Sequence, residues 1–519
     1  MNQPLEKLSR EELLARHKQL QSAHEATQER LAVLEHQLAQ LQRLVFGAKR
    51  EGFIASEVEA NQLQLFQQLS AAAEQAKREK VSYERQVPKR KPKRRQEFPA
   101  HLPRKTIIIP PEEEVEDLRQ IGEEVRETLD YQAAKLVVIR RVQPKYVDPA
   151  DEDRGVIIGP APERPFARSI AEVGLVVQLI IDKYVDHLPL YRQARRFKRM
   201  GIHLSDSVLG DLIKQAFVLL FPLWERLQRR VLANDYLQVD ETRIKVQKVK
   251  PGKTHEGYLW GYHAPCNRLM FFEYLPSRGR AGPAKKLKDF KGHLQTDAYT
   301  AYDPFNLVEA ITALVCWAHV RRKFDEARSN DPELAAEALS RIQKLYLIER
   351  RIAAQSGTPE YYELRYQQRQ QLAVPVLEDI HTWLEEKKQS RDVLPQSPIG
   401  KAINYALNRW EKLMVYTTDG RLEIDNNLLE NLMRPIALGR KNYLFAGSHD
   451  GARWAALFYS LLGSCQLNDV NNPFDYLYDV LWRINDHPVN RLDELLPDRW
   501  KPIRKPQDYW DTLSQDTDG

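Results

Sequence analysis

The chain has 519 residues, 42% apolar and 29% charged, a balance expected of a soluble globular protein with room for several domains. Its three cysteines, Cys266, Cys316 and Cys465, lie too far apart in sequence for a disulfide framework or a Cys-pair zinc site, and no run approaches the roughly 20 apolar residues of a membrane span. The net charge of +6 is concentrated, because residues 77–105 hold twelve Lys/Arg against three acids, a local +9 that leaves −3 elsewhere; that span suits either a polyanion partner or a solvated linker.

The start, MNQPLEKLSREELL, is polar and charged, so no signal peptide is expected and a reducing cytosol is the natural setting. Residues 9–45 read as one long helix. Leu13, Leu20, Thr27, Leu34 and Leu41 recur every seven residues, with Leu31, Leu38 and Val45 in the second seam. This heptad pattern supports a dimerising coiled coil or a helix folded back on its own domain. Gly47 closes it, and a second helical stretch covers residues 56–80. The segment VPKRKPKRRQEFPAHLPR follows, a linker or a nucleic-acid-gripping arm in which Lys89, Arg90, Lys91, Lys93, Arg94 and Arg95 are the gripping charges. Residues 106–158 mix short β-like runs with acidic loops, as a small β-rich domain would.

From Ser169 the pattern is helical. Residues 191–217 have the form helix, glycine turn, Ser-capped helix, compatible with a helix-turn-helix and equally with an ordinary helical hairpin. The period then changes to two. DYLQVDETRIKV is read as a strand with Leu237, Val239, Ile244 and Val246 on the side away from Asp240. Two more strands meet at a turn near Cys266-Asn267. A helix over 282–290, a strand ending at Asp297, a helical crossover and the strand ALVCWAH follow, and VRRKFDEA starts a helix. Residues 332–413 are strongly helical. A β-meander followed by alternating α and β predicts a mixed sheet with helices packed on it.

In DNNLLENLMRPIALGRKNYLFAGS (425–448), Asp425 or Asn426 can cap a helix whose apolar side is Leu428, Leu429 and Leu432. Glu430 and Arg434 share a face, and Pro435 is expected to end or bend the helix, leaving Arg440, Lys441 and Asn442 in a basic loop beside Tyr443 and Phe445. Asp240 at the end of the first core strand, Asp297 at the end of the fourth and Glu430 on this late helix form an acidic constellation suited to divalent ions. Oxygen ligands select Mg²⁺ or Mn²⁺, and zinc is not expected. Capping or a buried ion pair is the plain structural alternative for each acid. Glu241 should point to the opposite face from Asp240. His319, at a strand end, is a structural residue or a protonated donor to a phosphate. Arg321, Arg322 and Lys323 beside it read as backbone-binding charges or as a solvated helix start.

The runs QRLVFGAKRE (42–51), DKYVDHLPLYRQ (182–193), VDET (239–242), LQTDAYTAY (294–302), CWAHVRRKF (316–324), the 420–448 stretch and DHPVNRLDELLP (486–497) resemble bacterial insertion-sequence transposases of the TnpC type, the insertion-sequence sixty-six family, nearly end to end. The resemblance implies a multidomain α+β fold with a ribonuclease-H-like, mixed-sheet catalytic core of the DDE type. It divides the chain into a coiled coil (1–52), a helical segment and basic linker (53–105), a small β-rich domain (106–165), a helical DNA-binding region (166–230), the core (231–330 and 415–470), a helical insertion (331–414) and a helical tail (471–519). Asp240, Asp297 and Glu430 fall on the family's acidic positions, and the implied chemistry is cleavage of element ends and direct attack of their 3′-hydroxyls on target DNA. Arg434, Arg440 and Lys441 are the candidates for charge neutralisation. The implied partners are double-stranded DNA, at element ends and target, a homodimer or higher oligomer and accessory proteins of the same element, in a bacterial cytoplasm at the nucleoid and away from membrane. A DNA-binding regulator without catalysis and a nuclease on the same fold are the alternatives. Relatives carry two Cys pairs in the small domain; here those runs have none. Without a structural zinc, that domain is expected to be held by Val137, Ile139, Val156 and Ile157 or by its neighbours.

Overall fold

The computed structural model describes residues 98, 102, 104–111, 119–132, 135–149, 155–160, 164–166, 169–247, 253–297, 308–354 and 360–504. The expected coiled coil over 9–45, the helix over 56–80, the six basic residues Lys89 to Arg95 and the crossover between the fourth and fifth core strands lie outside the described residues.

The Ile/Val runs of the first region form a small sheet: β1 (Arg104–Ile108), β2 (Arg119–Gln132), β3 (Lys135–Val147) and β4 (Val156–Ile158). β2 and β3 pair antiparallel, β1 joins β3 in parallel and β4 pairs the end of β3. Alternation along β3 puts Val138, paired with Leu129, on the face that joins the main core, while Val137 and Ile139 pack with Ile107 on the other. Val156 contributes no packing, being 55% exposed, so the expectation for that residue is corrected. In its place a buried polar set pins the sheet to the segment that enters the first helix. Glu172 accepts from Arg141 at 2.6 Å and from Thr128 at 2.7 Å, and pairs with Arg164 at 3.0 Å.

Three helices come next, α1 (Val173–Tyr184), α2 (Leu190–Arg199) and α3 (Asp206–Leu232). Gly201, at φ 84°, makes the turn before Ser205, whose Oγ accepts the Val208 N–H and starts α3. By length and composition α3 could cross a membrane. In this fold its Leu209, Leu212, Ala216, Leu220, Leu223 and Leu227 stripe is buried, and Arg226 and Arg230 pair with Asp493 and Asp498 at 2.6 and 2.8 Å.

The central sheet contains β5 (Tyr236–Gln247), β6 (Thr254–Ala264), β7 (Leu269–Leu275), β8 (Gly292–Thr296) and β9 (Ile311–Val315), in the order β7-β6-β5-β8-β9. β5, β6 and β7 form an antiparallel meander; β8 and β9 extend it in parallel. The short α4 (Ala281–Lys286) links β7 to β8, and α5 (Trp317–Glu326) starts directly after β9, three residues before the expected VRRKFDEA. The β5–β6 register runs unbroken from Gln238 to Gln247, so Ile244 and Val246 share the face of Asp240 rather than opposing it. The expected pattern failed because Tyr236–Val239 are buried at both parities, whereas in the second half only the Ile244 and Val246 face is buried and Arg243, Lys245 and Gln247 are exposed.

The helical block comprises α6 (Pro332–Ala353), α7 (Tyr361–Gln368), a π-helical turn at Arg369–Ala373, α8 (Val374–Gln389), α9 (Pro398–Leu407) and α10 (Trp410–Met414), with a core of its own around Trp317, Leu345, Leu377 and Ile403. The chain returns through α11 (Asn427–Tyr443), α12 (His449–Leu467) and α13 (Pro473–Arg483). α12 covers the sheet's free edge, where the Met270 and Phe272 N–H groups of β7 donate to Ser464 and Ser460 at 3.1 and 2.7 Å. Of the two outcomes expected at Pro435, an end or a bend, the end does not occur: α11 continues to Tyr443, with Ile436 and Gly439 buried in its second half.

Candidate active site

Tyr236 of β5 stands opposite His293 of β8, an offset of 57, and the pairing runs to Gln238 and Gln295. Two residues further on, the same offset brings Asp297 level with Asp240. Asp240 is thus in mid-strand, not at a strand end, two residues past the last parallel pair. Its antiparallel partner is Gly261, on which α11 lies so closely that a Cβ would fall 2.8 Å from Met433 and 3.2 Å from Leu429. That close approach carries Glu430 to the same face.

Burial pushes the Asp240 carboxyl well above the usual carboxylate range, and the charges of Asp297, Glu241 and Glu430 push it further. The Glu241 N–H donates to Asp240 Oδ1 at 2.8 Å and Asn426 Nδ2 to Oδ2 at 3.4 Å. The Glu241 side chain itself pairs with Arg278. Glu430 faces Arg322 at 3.1 Å and His319 at 3.6 Å rather than forming a pair with Arg434. His319 sits in the first turn of α5, not at a strand end. Burial lowers its pKa, opposed by the charges of Glu430 and Asp297.

Beneath the carboxylates lies a polar network that the sequence did not announce. Gln238 Nε2 donates to Gln295 Oε1 at 2.8 Å and to the Asp425 carbonyl at 3.0 Å, and Gln295 Nε2 donates to the Glu423 carbonyl at 2.9 Å. Tyr236 OH donates to Gln295 at 2.6 Å and accepts the Glu423 N–H at 3.0 Å. His263, its pKa pushed down to about 3 by burial, meets Gln238 Oε1 at 2.8 Å. These bonds fasten the segment before α11 to the middle of the sheet. From the other side, Arg365 pairs with Glu423 at 2.6 Å and, like Arg369, with buried Glu349, while Arg369 also donates to the Tyr416 and Asp419 carbonyls. The only sequence signal for this network is a set of polar residues at inward strand positions.

At the start of α11, Asn426 holds the N-cap position without capping; Asp425 instead accepts the Asn427 N–H at 3.0 Å. Leu428 is exposed, whereas Leu429 and Leu432 are buried. Arg321, Arg322, Arg434 and Lys441 are exposed. Arg440, on the helix rather than in a loop, is bonded to Thr242 Oγ1 at 3.1 Å and to the Arg243 carbonyl, and so acts as a strut.

Among the described residues no group of three His, Cys, Asp or Glu is already gathered as a metal cluster. The donors nonetheless suit a hard cation: three mutually repelling carboxylates, with Glu430 Oε1 and Asn426 Oδ1 buried and without hydrogen-bond partners.

The Transposase IS66 family matches residues 168–454, the IS66 C-terminal element matches 460–497, and the Transposase C of IS166 homeodomain matches 33–107. Three uncharacterized proteins of Sinorhizobium fredii (strain NBRC 101917 / NGR234) are similar over nearly their whole length. y4hP is 33% identical over 91% of this chain and 89% of its own; y4jD is 32% identical over 94% and 98%; y4qI is 31% identical over 93% and 92%. With its central sheet, acidic face and C-terminal helices all inside the matched ranges, the chain belongs to the IS66 transposase family.

Proposed function

We propose that the chain is a DDE-type DNA transposase that cleaves the ends of its element and joins their 3′-hydroxyls to target DNA. The observation that carries this reading is the register coincidence of Asp240 with Asp297, with Glu430 brought against them by α11. The strand order, a three-stranded meander extended by two parallel strands, supports a ribonuclease-H-like core. Asp240, Asp297 and Glu430 would hold Mg²⁺, or Mn²⁺. When bound, such ions stabilise the attacking and leaving oxygens of an in-line displacement.

The chain's own contribution is positioning and charge. Gln238, Gln295 and Tyr236 fix the β5–β8 junction against the α11 start, so the carboxylates keep their spacing as DNA enters. Arg322 holds Glu430 and, with Arg321, Arg434 and Lys441, offers exposed cations to the phosphate backbone. The N-terminal heptads support a dimer, and accessory proteins of the element are expected partners. Single Asp240→Asn, Asp297→Asn and Glu430→Gln variants, incubated with Mg²⁺ and labelled element ends, test this. Loss of cleavage and joined product with DNA retention kept is expected; an active triple variant would overturn the reading. Cutting without joining would point to a nuclease.

A further inference from the structure

The far end of α11 closes a cavity of about 150 Å³ lined by Lys183, Tyr184, Ile213, Tyr443, Phe445 and Trp454. Gly439 provides the seat for Tyr443, since a Cβ there would collide with the phenol. The Gly447-Ser448 turn, also on the cavity wall, opens the 19-residue α12, and Ser448 Oγ accepts the Gly451 N–H at 3.0 Å. The first turn of a long helix presents backbone N–H groups and a partial positive charge.

Lys183 is the unexplained member. Lys183 is half-buried, and its ammonium lies over the rings of Tyr443 at 5.1 Å and Tyr184 at 5.6 Å. Among the described residues it has no ion pair and no hydrogen-bond acceptor. The acids nearest in sequence are engaged elsewhere or turned to other groups: Asp182 bonds Gln178 and Arg196, and Asp186 faces His187 and Arg196. Asp450, in the first turn of α12, pairs with Arg453 at 2.8 Å. Burial lowers the Lys183 pKa only to about 8, so it is still a cation at neutral pH. A cation over aromatic rings, on the same cavity wall as a helix N-terminus and with no carboxylate against it, offers a site for an anion. The space beside it matches one aromatic ring, since a cavity of about 150 Å³ is known to admit benzene.

We propose that this cavity seats the base of a pyrimidine nucleotide against Tyr443 and Trp454, with the sugar and phosphate outside it and the phosphate at Lys183 and the first turn of α12. Two sources share that chemistry, a free nucleotide and one turned out of a DNA strand. The second rests on the proposed function; the first does not. Two features favour DNA. Thirteen residues of α11 separate Glu430 from Tyr443, about 20 Å at the helical rise, which is about six nucleotides along a strand. Leu190 on the cavity wall also begins α2, whose exposed Arg192 and Arg195 stack on Tyr191 as a rail for backbone phosphates.

The test titrates the full-length chain with thymidine 5′-monophosphate, following Trp fluorescence and heat, with thymidine and inorganic phosphate alongside. A duplex carrying one unpaired thymine is probed in parallel by permanganate. Saturable binding of the nucleotide, weaker for each fragment, is expected. Lys183→Met should weaken it at least about tenfold, the scale of one charge-assisted bond, and Lys183→Arg should retain most of it. Thermal unfolding of Lys183→Met verifies that it is folded. Protection of the thymine that disappears in Lys183→Met would identify DNA as the source; nucleotide binding without protection would identify the free nucleotide. Phosphate binding as tightly as the nucleotide, or Lys183→Met behaving as the parent in both arms, overturns the proposal. Asp240→Asn should leave nucleotide binding intact, which separates failure here from failure of the catalytic reading.

Discussion

At the start of α11, Glu430 is brought toward two aspartates, and the carboxyl at the centre of the group is held far above its ordinary pKa by burial and by its neighbours. At the other end of the same helix, Tyr443 closes over an ammonium that meets ring faces and no carboxylate. One end gathers carboxylates, with Arg322 paired to Glu430, and the other sets an ammonium against aromatic rings without an ion pair. The two ends differ in their support. Gln238, Gln295, Tyr236 and the Arg365–Arg369–Glu349 group brace the acidic end, whereas the basic end has an empty volume beside it. In the two readings proposed above, ligands of opposite charge would complete the two ends: cations at one, phosphate at the other.

The sharpest way to break this comparison is at the acidic end. Asp240→Asn should lower strand transfer more than about 100-fold, beyond the usual cost of losing an outer-shell partner, while nucleotide binding at the far end stays unchanged in the same preparation. Next in size is the brace. Arg369→Met leaves Glu349 buried with one fewer partner and should cost about 3–5 kcal/mol in denaturant unfolding, with a loss of joining larger than the unfolded fraction explains. The basic end should respond with the opposite sign. Removing an ammonium whose pKa the fold lowers to about 8, as in Lys183→Met, should stabilise the chain by about 1–3 kcal/mol at pH 7. Between pH about 8 and 10.5 the unfolded chain keeps a proton that the folded Lys183 has released. Stability of the parent should therefore rise with pH through that window and stay flatter in Lys183→Met. The smallest effect distinguishes strut from contact. Lys441→Ala should reduce the salt slope of DNA binding by about 0.9, whereas Arg440→Ala should leave the slope alone and cost about 1 kcal/mol of stability.

The central sheet was legible because its strands are short, β-branched and separated by clear turns, and the 57-residue spacing of Asp240 and Asp297 already contained their register. The faces of β5 were not legible, since its first half is buried on both sides and lacks the alternation that marks inside and outside. Pro435 misled for a related reason. Local propensity predicts a helix end, but burial of Ile436 and Gly439 outweighs one missing N–H. Gln238 and Gln295 looked like ordinary strand polars, because their partners, the Glu423 and Asp425 backbone carbonyls, are more than 120 residues away in sequence. Lys183 was least visible of all. In LIIDKYVDHL it resembles any solvated helix end, and only the packing of α12 and the 443–448 turn encloses it.

Pro435 has one more consequence. With no N–H to donate, it leaves the Asn431 carbonyl without its usual rung, and that gap falls between the two ends of α11. Leu429 and Met433 against Gly261 on one side of the gap, and buried Ile436 and Gly439 on the other, hold both halves from outside, so the helix carries its two ends as one piece despite the missing rung.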